Sequence, residues 1–163
     1  MAENENTNEA AAAADEGIGA GVLAQYVKDL SFENPNTPQS LQGGKEAPSI
    51  NVNVNVNGNK VADDTYEVEL KVSISATEGE NAVFMVELVY AGLFGLRNFP
   101  EDQLQPFLLV QAPMLLFPYA RRVISDATRD GGFPPLMLEP IDFMGLYQQQ
   151  LQAAAQQGDA PAN

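Results

Sequence analysis

The stretch Ile50-Asn-Val-Asn-Val-Asn-Val-Asn57, followed by Tyr66-Glu-Val-Glu-Leu-Lys-Val-Ser-Ile-Ser75, alternates apolar and polar side chains with a period of two. Successive side chains of a strand point to opposite faces, so each run predicts a strand with one dry and one wet side. Working outward, Tyr26, Leu30 and Phe32 oppose Asp29, Ser31 and Glu33, which predicts an earlier strand of the same kind. Val83 to Tyr90 predicts a fourth, with Met85 and Val89 on one side and Val86, Leu88 and Tyr90 on the other, interrupted only by Glu87. Thr77-Glu-Gly-Glu-Asn81 has the composition of a hairpin turn. Four strands that share one polar face form an antiparallel sheet.

Beyond Pro100 the period changes. Glu101, Asp102 and Gln103 follow a proline, as at a helix start, and Leu116, Tyr119, Val123 and Ala127 recur at spacings of three and four. Pro113 and Pro118 are expected to kink or split this helix, and Gly131-Gly132 to end it. Asp142 is placed to cap a second helix carrying Phe143, Leu146 and Tyr147. Strands first and helices second define an α+β domain.

The ends differ from this middle. Met1 to Gly21 is rich in Ala, Asn and Glu and poor in bulky apolar residues, which predicts a disordered acidic leader. The ordered domain is then residues 22–151. A flexible tail follows over 152–163, into which the Gln- and Ala-rich helix could run as far as Ala155. No basic, apolar signal opens the chain, and the apolar run Phe107 to Phe117 is too short to span a bilayer, so a soluble cytoplasmic protein is expected.

Eight Lys and Arg against 22 Asp and Glu give 163 residues a net charge of −14, the wrong sign for nucleic acid or an anionic membrane surface. With neither Cys nor His, no nucleophile–base–orienter set can be assembled and no cofactor or metal is expected. Asp63-Asp64 would point apart if extended, and Gly43-Gly44-Lys45 lacks the context of a phosphate loop, so no enzyme is expected.

Two features remain for function. The connector Gly131-Gly-Phe-Pro-Pro-Leu-Met-Leu-Glu-Pro140 is apolar although connectors usually run over the surface. Its Phe133, Leu136, Met137 and Leu138 either fold back on the core or line an apolar groove for a partner. The polar sheet face collects Asp29, Glu33, Glu67, Glu69 and Glu87, which are either merely solvated or a docking surface for a basic partner. Val83 to Tyr90, apolar on both faces, is either an inner strand or a subunit contact.

Several segments in order resemble the SecB family of bacterial protein-export chaperones. These are Tyr26-Val-Lys-Asp-Leu-Ser-Phe-Glu-Asn-Pro-Asn36, Ala62-Asp-Asp-Thr-Tyr-Glu-Val68, Leu116-Phe-Pro-Tyr-Ala-Arg121 and Gly132-Phe-Pro-Pro-Leu136. The resemblance implies a four-stranded antiparallel sheet with two helices on one side, assembled as a dimer of dimers. It implies an ATP-independent chaperone that binds unfolded preproteins, keeps them competent for translocation and delivers them to the ATPase SecA. It places Phe133, Leu136, Met137, Leu138, Phe143, Leu146 and Leu41 in the client groove. Asp29, Glu33, Met85 and Glu87 fall at the SecA contact, and Val86, Leu88 and Tyr90 at the subunit contact. The alternatives are an oligomeric module for one defined apolar ligand or peptide, and a SecB-like chaperone of a toxin–antitoxin system.

Overall fold

The structure, a computed structural model, describes residues 17–44 and 46–158. Four strands, β1 (Gly19–Glu33), β2 (Ser49–Ala62), β3 (Thr65–Glu78) and β4 (Asn81–Arg97), form one antiparallel sheet in the order β1-β4-β3-β2. The long helix α1 (Glu101–Asp130) and the helix α2 (Phe143–Gly158) follow. The period-two reading of β2 and β3 holds along their length, in register from Ser49 opposite Thr77 to Lys60 opposite Tyr66. Val68, Leu70, Val72 and Ile74 are buried, as are Val86, Leu88, Phe94 and Leu96 of β4, and they pack with Leu116, Ala120 and Ile124 of α1. The face opposite the helices carries Asn, Ser and charged side chains on β2 and β3, and on β4 Glu87 among Met85, Val89 and Leu93. The hairpin turn forms as expected, with Gly79 at φ +61°.

Several expectations are corrected. Val86, Leu88 and Tyr90 are not a subunit contact: the first two are fully buried and Tyr90 nearly so, all beneath the chain's own helix, where Tyr90 stacks on Tyr119 at 6.4 Å between ring centroids. The strand predicted at Tyr26 begins at Gly19, inside the predicted leader. There Gly19, Ala20 and Gly21 pair with Arg97, Leu96 and Gly95, because β4 runs on past Tyr90 and offers them a ladder. The rest of the leader, residues 1–16, lies outside the described residues. At the other end α2 continues to Gly158, through most of the predicted tail, and residues 159–163 lie outside the described ones.

Neither proline splits α1. A π-helical turn, Phe107–Gln111, precedes Pro113, and the Ala112 N–H bonds to the Phe107 carbonyl five residues back. The wider turn accommodates a residue that has no N–H to donate and whose ring crowds the preceding turn. The buried stripe is Ala112, Leu116, Ala120, Ile124 and Thr128, whereas the predicted Tyr119 is 47% exposed. By length and composition α1 could cross a membrane, but half of its most apolar window is buried inside the molecule.

Candidate functional site

On the helix side, the connector and the β1–β2 crossover meet over the end of the sheet. Leu41, Ile50, Phe84, Phe133 and Leu136 line a groove of about 360 Å³. Its floor is aromatic: Phe84 lies 5.0 Å from Phe133 and 6.0 Å from Phe32, centroid to centroid. Thr128 fixes one wall. Its backbone carbonyl accepts from the Phe133 N–H at 3.1 Å, and its Oγ1 accepts from the Leu136 N–H at 2.9 Å. Asn34 ties the other wall to the connector: its Nδ2 donates to the Gly131 carbonyl at 3.2 Å, and its Oδ1 accepts from Ser40 Oγ at 3.0 Å. Gly131 and Gly132 are required here. A Cβ on Gly131 would lie 2.3 Å from the Phe32 ring, and Gly132 sits at φ +94°.

The seven residues assigned to client binding thus separate. Leu41, Phe133 and Leu136 share the groove. Met137 stands 63% exposed beside it, with Ser125 Oγ donating to its sulfur at 3.4 Å. Leu146 lines a second cleft of about 220 Å³ between β2 and α2, with Val54, Val56, Leu109 and Tyr147. Leu138 and Phe143 are corrected to core: both are buried, and Phe143 meets Phe117 edge-on at 6.1 Å. The Asp142 cap forms, with Oδ1 accepting from the Gly145 N–H at 3.0 Å.

Thr128 and Asn34 escape a search for apolar residues. Thr128 nevertheless leaves a signal, a hydroxyl falling in register on the stripe Leu116, Ala120, Ile124. Replacing Thr128 with Val keeps the shape and orphans the Leu136 N–H. The expected loss is about 1–3 kcal/mol by urea unfolding, with faster amide exchange at Phe133 and Leu136.

The opposite face of the sheet is largely polar and carries no helix among the described residues. Glu33 pairs with Met85, Ser31 with Glu87 and Asp29 with Val89, so the four residues expected at the SecA contact lie on adjoining positions of β1 and β4. Three of them, Glu33, Met85 and Glu87, border a depression of about 310 Å³ with Ser31, Asn51, Asn53, Ser73 and Ser75. Farther along the same face, Lys28 bridges Glu67, at 2.7 Å, and Glu69, and the Tyr26 hydroxyl donates to Glu67. Lys28, then Tyr26, hold the Glu67 carboxyl below its ordinary range. The stabilisation this gives is complete above about pH 4.5 and is lost as pH falls through the lowered value.

The chain matches the family model "Preprotein translocase subunit SecB" over residues 13–154. It is 55% identical over 134 residues to the protein-export protein SecB of Sphingopyxis alaskensis, covering 82% of this chain and 77% of the relative. It is 53% identical over 137 residues to that of Rhodopseudomonas palustris, covering 84% and 87%. It is 55% identical over 139 residues to that of Maricaulis maris, covering 84% and 81%. Among solved structures, a SecB-like chaperone of Mycobacterium tuberculosis, in complex with an antitoxin peptide, superposes with a TM-score of 0.63 at 17% identity. That likeness covers 75% of this chain and 90% of the other, and it bears on the fold. The sheet order, the paired helices and identities above one half over most of the sequence agree: the chain belongs to the SecB family of protein-export chaperones.

Proposed function

We propose that this chaperone holds unfolded preproteins against the grooves on the helix side of its sheet and passes them to SecA through the acidic open face. The observation that carries this reading is the separation of two unlike surfaces by one sheet. An aromatic-floored groove with Leu41, Phe133 and Leu136 lies on one side, and Asp29, Glu33, Met85 and Glu87 lie on the other. An unfolded chain exposes apolar side chains that its native form hides, and burying them is worth about 25 cal/mol per Å² without a sequence code. Holding the unfolded form and ignoring the native one retards folding by mass action, with no ATP and no covalent step.

The same reading includes a cytoplasmic homotetramer, a dimer of dimers, in which several grooves act on one client and raise avidity. With Val86, Leu88 and Tyr90 buried, the surfaces that suit self-association are elsewhere. One is the edge strand β1, with Val22, Leu23, Val27 and Leu30 exposed, and the other is the outer side of α1, with Met114, Leu115 and Tyr119 exposed.

Refolding of a slow-folding export precursor tests the holding step. The chain has no Trp, so the precursor's tryptophan fluorescence is read without background. Stoichiometric chaperone is expected to arrest refolding and to show no affinity for the native precursor. Unchanged refolding at micromolar chaperone would overturn the reading in favour of a pocket for one defined ligand.

A further inference from the structure

The open face carries five carboxylates on its strands, and they are not equivalent. Ordered along β4, Glu67 lies opposite Leu93, Glu69 opposite Ala91 and Asp29 opposite Val89; then come Glu87 itself and Glu33 opposite Met85. The first two share the single positive charge of Lys28, which offsets one of their two negative charges, and Glu67 also accepts from Tyr26. Asp29, Glu33 and Glu87 make no ion pair among the described residues. The other lysine of this face, Lys71 opposite Val89, makes none either.

Lys28 can reach both glutamates because the ladder is broken at its position. The register of β1 against β4 shifts between Val27 and Asp29, so one extra residue is inserted there. A bulge of this kind turns two consecutive side chains toward the same side. Lys28 and Asp29 therefore both stand on the open face, the lysine covering Glu67 and Glu69 and the aspartate joining Glu33 and Glu87.

We infer that Lys28 is a specificity-determining residue of the docking face: by pairing with Glu67 and Glu69 and offsetting one of their two charges it biases the acidic field toward Asp29, Glu33 and Glu87, and so fixes where a basic partner settles. The inference rests on the open face being the site where SecA docks. Lys28 needs no contact with the partner. Its effect is to halve the negative charge at one end of the open face, so that a cationic segment gains more at the other end.

Replacing Lys28 with Met removes the charge, keeps most of the stem and exposes both glutamates. The expected result is tighter binding of SecA at low salt, by about threefold, with the gain lost as ionic strength rises. The tightened binding should also depend less on the original acids. Glu33→Gln with Glu87→Gln is expected to weaken binding about tenfold in the wild-type background but only about threefold beside Lys28→Met. A merely structural role predicts the opposite sign, since loosening the strand can only weaken docking. Lys28→Arg should behave as wild type.

A ¹⁵N-labelled chaperone titrated with an oligolysine peptide separates this inference from the docking reading. Shifts largest at Asp29, Glu33 and Glu87 in wild type, and growing at Glu67 and Glu69 in the Met variant, support the masking even if SecA itself does not bind, an outcome that would sink the docking reading alone. Weaker or unchanged binding in the Met variant, or peptide shifts at Glu67 and Glu69 as large in wild type as in the Met variant, would overturn the masking.

Discussion

Reversing Glu33 and Glu87 to Lys is expected to weaken SecA binding by about a hundredfold or more while leaving the arrest of refolding intact. The two carboxylates flank one depression beside Met85 and are not neutralised by any neighbouring base among the described residues. Their charge is therefore free to act on a partner. Replacing attraction by repulsion at two adjoining positions costs a basic surface far more than truncation would, since like charges brought together are actively unfavourable. The groove lies across the sheet, on the side of Phe84 and Phe133, and is lined mainly by apolar side chains beside Glu46 and Glu78, so a distant surface charge leaves it nearly unchanged. Binding of SecA and of an unfolded precursor, both measured by calorimetry at two ionic strengths, checks this. A parallel loss of both activities would mean that the two faces do not divide the work.

How far the sequence could reveal these surfaces depended on whether one residue has only one way to face. In β2 and β3 it does: an Asn or Glu beside a Val leaves no doubt about which is wet, and the acidic face followed from that alternation. The strand Val83 to Tyr90 was apolar on both sides, and periodicity could not say which side the helix covers. The register settled it, with Val86 and Leu88 inward and Met85 and Glu87 outward. Helix α1 posed the same difficulty. The spacing put Leu116 and Tyr119 on one stripe, and only packing shows that Leu116 is inside while Tyr119 remains exposed.

The glycine-rich start of β1 was illegible for another reason. Gly19 to Gly21 has only the methyl group of Ala20 to declare a face, and its order comes from hydrogen bonds that β4 supplies from far along the chain. Composition identified the connector as unusual but could not give its direction. Phe133 and Leu136 border the groove, whereas Leu138, two residues beyond, turns into the core. The crossover wall was legible only through the resemblance that placed Leu41 there, and Asn34, which ties it to the connector, lies in a resembling segment but shows no periodicity of its own.

Truncating Leu116 to Ala should destabilise the chaperone by about 2–5 kcal/mol, measured by urea unfolding, because this side chain seats α1 on the sheet. Leu116 is fully buried, and Gly92 of β4 lies directly beneath it. A Cβ built on Gly92 would come within 2.7 Å of Leu116 Cδ2 and 2.8 Å of the Phe94 ring. The glycine thus lets helix and sheet approach closely, and Gly92→Ala is expected to cost about 1–3 kcal/mol through overpacking. The two losses should not add. In Leu116→Ala the space above Gly92 opens, so the double variant recovers part of the penalty, and the remaining contact with Phe94 keeps the recovery incomplete. A coupling of about 0.5–3 kcal/mol in the double-mutant cycle is the expected signature, and strict additivity would show that Leu116 does not rest on Gly92. The consequence for function follows along the helix. Thr128 stands three turns beyond Leu116 on the same buried stripe and holds the connector by its hydroxyl. A helix unseated at Leu116 presents that hydroxyl less firmly, and client binding should weaken before the sheet, with its acidic face, is disturbed.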